Sequence, residues 1–282
     1  MKVDRKKCVG CANCVPVCPM EAIYIGPDGS AEINQEACVE CYTCYRGLSV
    51  ENLPPWPVRF IRRLLAAMNL RFQPEPDICP TGALAPDELS WPRIVRRAFS
   101  DPQVPHESTG LQGRGTAEVK TNDVTNRIKE GETGFVVELG RPGVGVYFRE
   151  VDRVTRMLAE KGMVFEKENP VTSLMTDPGG GCIREDVLEE KVLSCIIETK
   201  IRLNRVPEML GVIKKLAPSL NTVVSIGLST RCNDNGEDPL KEILLREGYH
   251  VCRAKINLGL GRQTNPLYET LFANRSTKEL KL

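Results

Sequence analysis

Eight of the twelve cysteines lie in the first 79 residues of the chain, at spacings suited to metal ligation. One run, "CVGCANCVPVCP", has the pattern C-x2-C-x2-C-x3-C-P, and a second run, "CVECYTC", repeats C-x2-C-x2-C. Cysteine thiolates are soft ligands for zinc and for iron–sulfur clusters, and the first pattern is an iron–sulfur arrangement. The cysteines of the two runs are Cys8, Cys11, Cys14, Cys18, Cys38, Cys41 and Cys44.

An eighth cysteine completes an internal repeat. Leu48 stands where the second run would place its fourth cysteine, and the next cysteine along the chain is Cys79. The segment "CPMEAI", which begins at Cys18, and the segment "CPTGAL", which begins at Cys79, share the form Cys-Pro-x-x-Ala followed by an aliphatic residue. The sequence therefore predicts two copies of one motif, with an insertion in the second copy.

This segment resembles the bacterial two-cluster ferredoxins, in which the cysteine before proline ligates the cluster of the other run. The resemblance implies two [4Fe–4S] clusters and low-potential, one-electron transfer between them. The implied ligands of one cluster are Cys8, Cys11, Cys14 and Cys79. The implied ligands of the other cluster are Cys38, Cys41, Cys44 and Cys18. If Cys79 does not ligate, its cluster has three thiolates and could lose an iron.

Two other uses of these cysteines fit the pattern less well. Zinc can be held by paired C-x2-C runs, but a double pattern of eight cysteines is typical of clusters. Disulfides are expected in exported proteins, and the start "MKVDRKKC" lacks the apolar run of a secretory signal. We therefore expect a cytoplasmic protein in a reducing compartment, with anaerobic metabolism as its setting.

The composition argues against several classes of function. A net charge of +1 and a pI of about 7.4 lack the basic excess typical of nucleic-acid-binding proteins. No segment reaches the roughly 18 apolar residues of a transmembrane helix. Only two histidines occur, at 106 and 250, so any redox chemistry must depend on bound cofactors. The sequence does not indicate an oligomeric state.

The elements that must position the cysteines belong to a predicted α+β protein of two domains. Residues 1–92 form a two-cluster ferredoxin domain with a helical insertion at 45–78, and polar residues 93–133 form a linker or arm. Residues 134–262 have the predicted order β-α-β-β-α-β, that of a ferredoxin-like α/β sandwich, followed by a further helix and strand. Residues 263–282 form a C-terminal tail.

The insertion contains a predicted basic amphipathic helix within residues 54–72, "PPWPVRFIRRLLAAMNLRF". Its apolar residues recur at helical spacing, and its arginines lie mostly on the other side. Such a helix could pack on its own domain, dock a partner or lie on an anionic membrane. We predict that a redox partner protein docks near it, because electron transfer requires a cluster close to the acceptor and arginines would steer an acidic protein.

Two weaker resemblances concern the second domain. The stretch that contains "RPGV" at 141–144 is similar to the start of ACT regulatory domains, which implies amino-acid sensing. The stretches "GRGTAEVKTNDVT" and "KINLGLGR" resemble 6-hydroxynicotinate reductase-type proteins, which implies reduction of a heteroaromatic ring with ferredoxin electrons. Neither resemblance identifies a catalytic residue, and no motif supports a flavin. The spacing of the remaining cysteines matches no cluster motif and assigns no role to Cys182, Cys195, Cys232 or Cys252.

The leading hypothesis from the sequence is an electron-transfer protein or subunit that passes electrons to a partner oxidoreductase. A ferredoxin-dependent reductase of a heteroaromatic substrate and a redox-coupled, amino-acid-sensing module are the alternatives. The identities of donor and acceptor and the reduction potentials do not follow from the residues.

Overall fold

The computed structural model describes residues 1–46, 53–70, 79–104, 127–141 and 143–250, and the backbone of a strand at 258–261. The described chain mixes helices and strands and belongs to the α+β class. It divides into two compact units. The first unit comprises Met1–Val104 with Glu190–Leu193, and the second comprises Pro105–Glu189 with Ser194–Leu282.

The first unit consists of short elements arranged around the cysteines. In chain order they are β1 (Lys2–Val3), β2 (Ile23–Ile25), β3 (Ala31–Ile33), α1 (Thr43–Arg46), α2 (Pro55–Ala67), β4 (Leu84–Ala85) and α3 (Ile94–Ser100). Strand β1 pairs with β4, and β2 pairs with β3, both in antiparallel register. Strands this short are marginal alone, so packing around the cysteines must hold them in place.

The two strand pairs correspond to each other through the sequence repeat. Ile23 pairs with Ile33, and Leu84, which follows its Cys-Pro at the same distance, pairs with Val3. Ile23 and Leu84 are both buried in one core cluster that also contains cysteines of both runs. The repeat seen in the sequence is therefore also a repeat in space.

A helix occupies the start of the segment predicted to be a linker. Residues Ile94–Ser100 form α3, and its buried side chains include Val95, Arg96 and Phe99. Val95 and Phe99 lie four residues apart, on one helical face. The polar composition of 93–133 concealed this short apolar stripe, and residues 105–126 of the predicted linker lie outside the described part of the chain.

The elements of the second part of the chain are longer. They are β5 (Glu132–Leu139), β6 (Val146–Tyr147), α4 (Phe148–Glu160), β7 (Val164–Phe165), β8 (Met175–Asp177), β9 (Cys182–Ile183), β10 (Lys191–Val192, in the first unit), β11 (Cys195–Arg202), α5 (Val206–Leu216), β12 (Val223–Thr230), α6 (Pro239–Arg246) and β13 (Leu258–Gly261). Five of these strands form one sheet in the order β13-β12-β5-β11-β7, in which all neighbouring strands are antiparallel.

One face of this sheet is an aliphatic layer. Val137 in the central strand β5 lies opposite Ile197 of β11 on one side and Ile226 of β12 on the other, and all three are buried. Alternate residues of a strand point to the same face, so these three side chains form one row of the core. The second unit thus has a hydrophobic core of its own.

Local signals fix the helices of the second unit. In α4 the buried positions include Phe148, Val151, Val154 and Leu158, which recur every three or four residues. The chain leaves this helix through Gly162, whose φ of +71° suits a glycine after a helix end. Helix α6 begins after Asp238, whose side chain accepts a hydrogen bond from the Leu240 amide at 2.9 Å.

Candidate iron–sulfur site

The structure gathers the eight predicted cysteines into two sets of four. One cavity, here called the first cavity, is lined by Cys8, Cys11, Cys14 and Cys79. Another, the second cavity, is lined by Cys18, Cys38, Cys41 and Cys44. Each cavity therefore combines three closely spaced cysteines of one run with the Cys-Pro cysteine that follows the other run. These are the two sets that the resemblance implied.

The two cysteine loops, residues 8–14 and 38–44, share an uncommon backbone conformation. Gly10 and Glu40, which are equivalent in the repeat, have φ values of +63° and +54°. The next equivalent pair, Ala12 and Tyr42, has φ values of +64° and +58°. Non-glycine residues rarely adopt this left-handed region, so its recurrence at matched positions indicates a common constraint on both loops.

The two Cys-Pro segments are also matched in their hydrogen bonds. The Ala22 amide donates to Cys18 Sγ at 3.3 Å, and the Ala83 amide donates to Cys79 Sγ at 3.1 Å. These bonds orient each sulfur and stabilise negative charge on it. Cys79 therefore accepts the same hydrogen bond as Cys18, despite the insertion that precedes it.

Burial controls the protonation of the cysteines. Burial and, to a smaller extent, the neighbouring cysteines raise the pKa of Cys14 to about 12. Burial likewise raises the pKa of Cys44 to about 12 and that of Cys38 to about 11. Without a metal these buried groups are neutral thiols, because the site penalises uncompensated thiolates. Cluster binding must supply the positive charge that deprotonates them.

The arrangement suits a polynuclear cluster. In the described part of the chain, no three Cys, His, Asp or Glu side chains converge around a single ion position. Instead, four thiols line each of two cavities. Iron–sulfur clusters are held by four such thiolates, and their inorganic sulfurs accept hydrogen bonds from surrounding amides.

Helix α2 buries little of its apolar surface. Its only buried side chain is Val58, whereas Trp56 and Phe60 are 75% and 57% exposed and stack on each other with ring centroids 6.0 Å apart. Leu64 and Met68 continue this exposed stripe, at 54% and 62% exposure. We call these four residues the apolar stripe of α2.

The arginines of α2 do not all point toward solvent. Arg59 and Arg62 donate to backbone carbonyls in and before the first cysteine loop, and Arg63 is exposed. Two of the arginines predicted to steer a partner are therefore also bound to the cysteine loop and the residues before it, because the backbone carbonyls there provide close acceptors. Arg71 and Phe72 lie outside the described residues.

Sequence reasoning missed the arginines that hold the second cysteine loop. Arg93 donates to the buried carboxylate of Glu40 at 2.6 Å, and Arg96 donates to three carbonyls of that loop and its approach. The only sequence signal for them was arginine recurring beside apolar residues in "RIVRR", within a segment assigned as a linker.

The remaining cysteines do not form a further metal site among the described residues. Cys195 is buried in β11, Cys182 is half-buried and Cys232 is exposed. Cys252 lies outside the described residues. The three described cysteines are free thiols.

Comparisons with known proteins agree with this geometry. Residues 1–47 match the 4Fe-4S dicluster domain family. The protein is 32% identical over 125 residues to the B chain of polysulfide reductase from Wolinella succinogenes, covering 38% of this sequence and 62% of that protein. It is 39% identical over 57 residues to ferredoxin YfhL of Escherichia coli, covering 20% of this sequence and 65% of that protein. No solved structure matches the protein.

The N-terminal segment therefore belongs to the 4Fe–4S dicluster domains, and the predicted resemblance to ferredoxins is confirmed. This segment is of the iron–sulfur kind, with [4Fe–4S] clusters as its cofactors. The chain spans less than two thirds of the length of either relative, at 62% and 65%. Cys79 lies beyond the matched residues 1–47.

None of the described helices combines the length and the apolar character needed to cross a bilayer.

Proposed function

We propose that this chain binds two [4Fe–4S] clusters and carries single electrons between them and a partner oxidoreductase. The first cavity would hold one cluster through Cys8, Cys11, Cys14 and Cys79. The second cavity would hold the other through Cys38, Cys41, Cys44 and Cys18. When bound, each cluster supplies a one-electron couple, and the chain supplies its ligands, hydrogen bonds and dielectric surroundings.

The observation that carries this proposal is the partition of eight cysteines into two matched sets of four. Crossing of Cys18 and Cys79 between the runs places both cavities in one small unit. Short separation favours electron transfer between two centres, and buried ligands exclude water that would otherwise destabilise the clusters.

Counting of iron and sulfide in anaerobically reconstituted protein tests the proposal. We expect about eight irons and eight sulfides per chain, together with the visible absorption of iron–sulfur clusters. A limit of about four irons, with one set of cysteines still reactive toward a thiol reagent, would contradict the two-cluster assignment.

The apolar stripe of α2 supports docking of the partner on this helix. Large exposed apolar patches mark interaction surfaces, and Trp56 and Phe60 are the kind of aromatic anchors that dominate binding energy. The helix contains three arginines and no acidic residue. We propose that the occupant is a groove on the partner protein, apolar along its floor and carrying carboxylates at its rim.

A matched pair of variants tests this surface. The probe is purified polysulfide reductase freed of its own B chain, chosen because that B chain is a relative of this protein, with affinity measured at low and high salt. We expect Phe60→Asp to abolish binding and Arg63→Gln to weaken both the affinity and its salt dependence, with both variants retaining full iron. Equal affinity of Phe60→Asp and the parent would refute the surface, and binding to anionic vesicles instead would identify a lipid occupant.

For the second unit we propose the predicted ferredoxin-like α/β sandwich, with β13 as an added edge strand. The order β12-β5-β11-β7 among the antiparallel strands supports this fold. The predicted domains at 1–92 and 134–262, with a linker at 93–133, an insertion at 45–78 and a tail at 263–282, remain predictions. Residues 105–126 and 262–282 lie outside the described chain.

One observation favours a ligand-binding role for the second unit. A cavity there is lined by basic residues and by Glu166 and Glu198, beside the apolar Phe165. Arg127 is ion-paired with Glu166, and Lys200 with Glu132. Lys129 and Lys167 are therefore the cations left in this cavity to bind an aromatic carboxylate, the substrate type implied by the resemblance to 6-hydroxynicotinate reductases. The stretch "GRGTAEVKTNDVT" behind that resemblance, residues 113–125, lies outside the described residues.

Spectra of the purified protein separate these possibilities. A bound flavin or heterocycle released on denaturation would support a reductase, whereas its absence together with full cluster content would favour an electron-transfer subunit. The ACT-like alternative stays a prediction. In its "RPGV" segment, Gly143 has a φ of +64°, which a tight turn explains equally well.

A further inference from the structure

Two arginines from different helices bind equivalent carbonyl groups in the two halves of the repeat. Arg59 Nη2 of α2 lies 3.2, 2.5 and 2.9 Å from the carbonyl oxygens of Arg5, Lys6 and Cys8. Arg96 Nη1 of α3 donates to three carbonyls at 3.0, 2.9 and 2.9 Å. Those three acceptors are Gln35, Glu36 and Cys38.

The acceptors correspond one to one. Each carbonyl bound by Arg96 lies 30 residues after a carbonyl bound by Arg59, and Cys38 likewise lies 30 residues after Cys8. The two arginines are not related by the repeat, since α2 belongs to the insertion and α3 follows the second Cys-Pro segment. The same contact has therefore been built twice, from unrelated parts of the chain.

The contact orients an amide at each cavity. In a planar trans peptide the N–H points opposite to the C=O of the same unit. A guanidinium bound to the Cys8 carbonyl therefore turns the Val9 N–H away from α2, and the same argument applies to Cys38 and Val39. Val9 lines the first cavity and Val39 lines the second, so each amide is available to a cluster sulfur.

The two guanidinium groups differ in their ionic partners. Arg96 is also bound through Nε to the carboxylate of Glu190, and the side chains of both residues are largely buried. Among the described residues, no carboxylate lies within ion-pair distance of Arg59. The charge of Arg96 is thus balanced beside the second cavity, whereas the charge of Arg59 is not balanced beside the first.

We propose that Arg59 and Arg96 are matched positioning residues that fix the two cysteine loops and raise the reduction potentials of the clusters. We further propose that Glu190 offsets the effect of Arg96 alone. This inference rests on the proposed two-cluster function. Positive charge and oriented amides near a cluster stabilise the reduced, more negative state, which raises its potential.

Redox titration of the complete, cluster-loaded protein tests the proposal, with Cys79→Ser and Cys18→Ser used to assign each signal to a site. Arg59→Gln is expected to lower the potential of the Cys8-side cluster and leave the other unchanged. Arg63→Gln is the control, because it removes an equal charge from the same helix without touching the loop. We expect it to move neither potential appreciably.

Glu190→Gln tests the asymmetry without disturbing either loop. It should raise the potential of the Cys38-side cluster only, because the charge of Arg96 then acts uncompensated. Arg96→Gln should lower that same potential, and Arg59→Lys, which keeps the charge but not the planar fork, should lie between Arg59→Gln and the parent.

The outcomes separate this inference from the proposed function. Fewer than two clusters in the parent would refute the function itself. Two full clusters whose potentials stay fixed in Arg59→Gln and Glu190→Gln would overturn the inference and leave the function standing. Reduced iron content in Arg59→Gln without any shift in the remaining cluster-loaded molecules would assign the arginine a structural role alone.

Discussion

The two cysteine loops have nearly the same backbone but different surroundings. Both place left-handed residues at equivalent positions, Gly10 with Glu40 and Ala12 with Tyr42. Outside the loops, the first is covered by α2, which exposes an apolar stripe, and the second by α3, which is largely buried. The conformation of the loop is therefore kept in both halves, while the covering helix differs.

The shared features of the two loops are those that position the cysteines, whereas the features found on one side only are available to a partner protein. The thiolate geometry depends on the backbone of the loops and on the Cys-Pro segments, which are alike. The exposed Trp56 and Phe60 have no role in that geometry and occur on one side only. We infer that the first cavity is the one near which the partner docks.

The largest expected effect comes from replacing Cys79 or Cys18, the two cysteines that precede proline. Cys79→Ser and Cys18→Ser should each lower the iron content below that of the parent and alter one cluster, because each removes one of four thiolates from a different cavity. Iron analysis and EPR of the anaerobic proteins measure this loss.

Cys232→Ser is the control for both variants, since Cys232 is an exposed thiol of the second unit. It should retain the iron content of the parent. If Cys79→Ser keeps the iron content and the spectra of the parent, Cys79 is not a cluster ligand, although its backbone position matches that of Cys18.

A second prediction compares Gly10 with Glu40. A Cβ at Gly10 would lie 2.0 Å from the Gly29 carbonyl oxygen, and the φ of +63° adds strain for any other residue. Gly10→Ala should therefore destabilise the first unit by about 3 kcal/mol. Anaerobic urea unfolding, followed by loss of cluster absorption, measures this; a midpoint equal to that of the parent would contradict the geometry.

A smaller effect is expected at the equivalent position of the second loop. Glu40 is fully buried and accepts hydrogen bonds from Arg93 at 2.6 Å and from the Met1 amino group at 2.5 Å. Glu40→Gln keeps the shape but weakens both contacts, at a cost of about 2 kcal/mol in the free energy of unfolding. The same urea experiment should show a shift about two thirds of that of Gly10→Ala, and a stabilised protein would disprove the role assigned to this carboxylate.

The smallest effect on stability is expected on the apolar stripe of α2. Phe60→Ala should change the free energy of unfolding by less than about 0.5 kcal/mol, because the ring is 57% exposed. Val58→Ala, on the buried side of the same helix, should cost about 1–2 kcal/mol and serves as the matched comparison. If both variants lose the same free energy of unfolding, the apolar stripe of α2 is covered in solution.

The sequence indicated the cysteines of the site more completely than the residues that hold the cysteine loops in place. The C-x2-C-x2-C runs, the Cys-Pro repeat and the resemblance to ferredoxins predicted two sets of four cysteines; these sets line the two cavities, and cluster ligation by them stays a prediction. Arg59 and Arg96 could not be found in this way, because their acceptors are backbone carbonyls, which carry no sequence signal. The exposed face of α2 was also hidden, since periodicity shows that a helix has two faces but not which one is covered.

In the second unit, the sequence likewise predicted the elements better than their bounds. The apolar runs of 134–262 predicted the order β-α-β-β-α-β, and β5, α4, β7, β11, α5 and β12 occur in that order among shorter strands. The apolar run from Lys191 to Leu203 contributes only Cys195–Arg202 to the five-stranded sheet. Apolar runs do not show where a chain enters or leaves a sheet, because that depends on the pairing partners.

EPR spin quantitation of the fully reduced, anaerobic protein tests the central claim most directly. If the two matched sets of four cysteines each hold a [4Fe–4S] cluster, reduction will give about two unpaired spins per chain, one from each site. A protein with full iron that takes up only one electron, or that gives about one spin per chain assignable to a single site, would contradict the account.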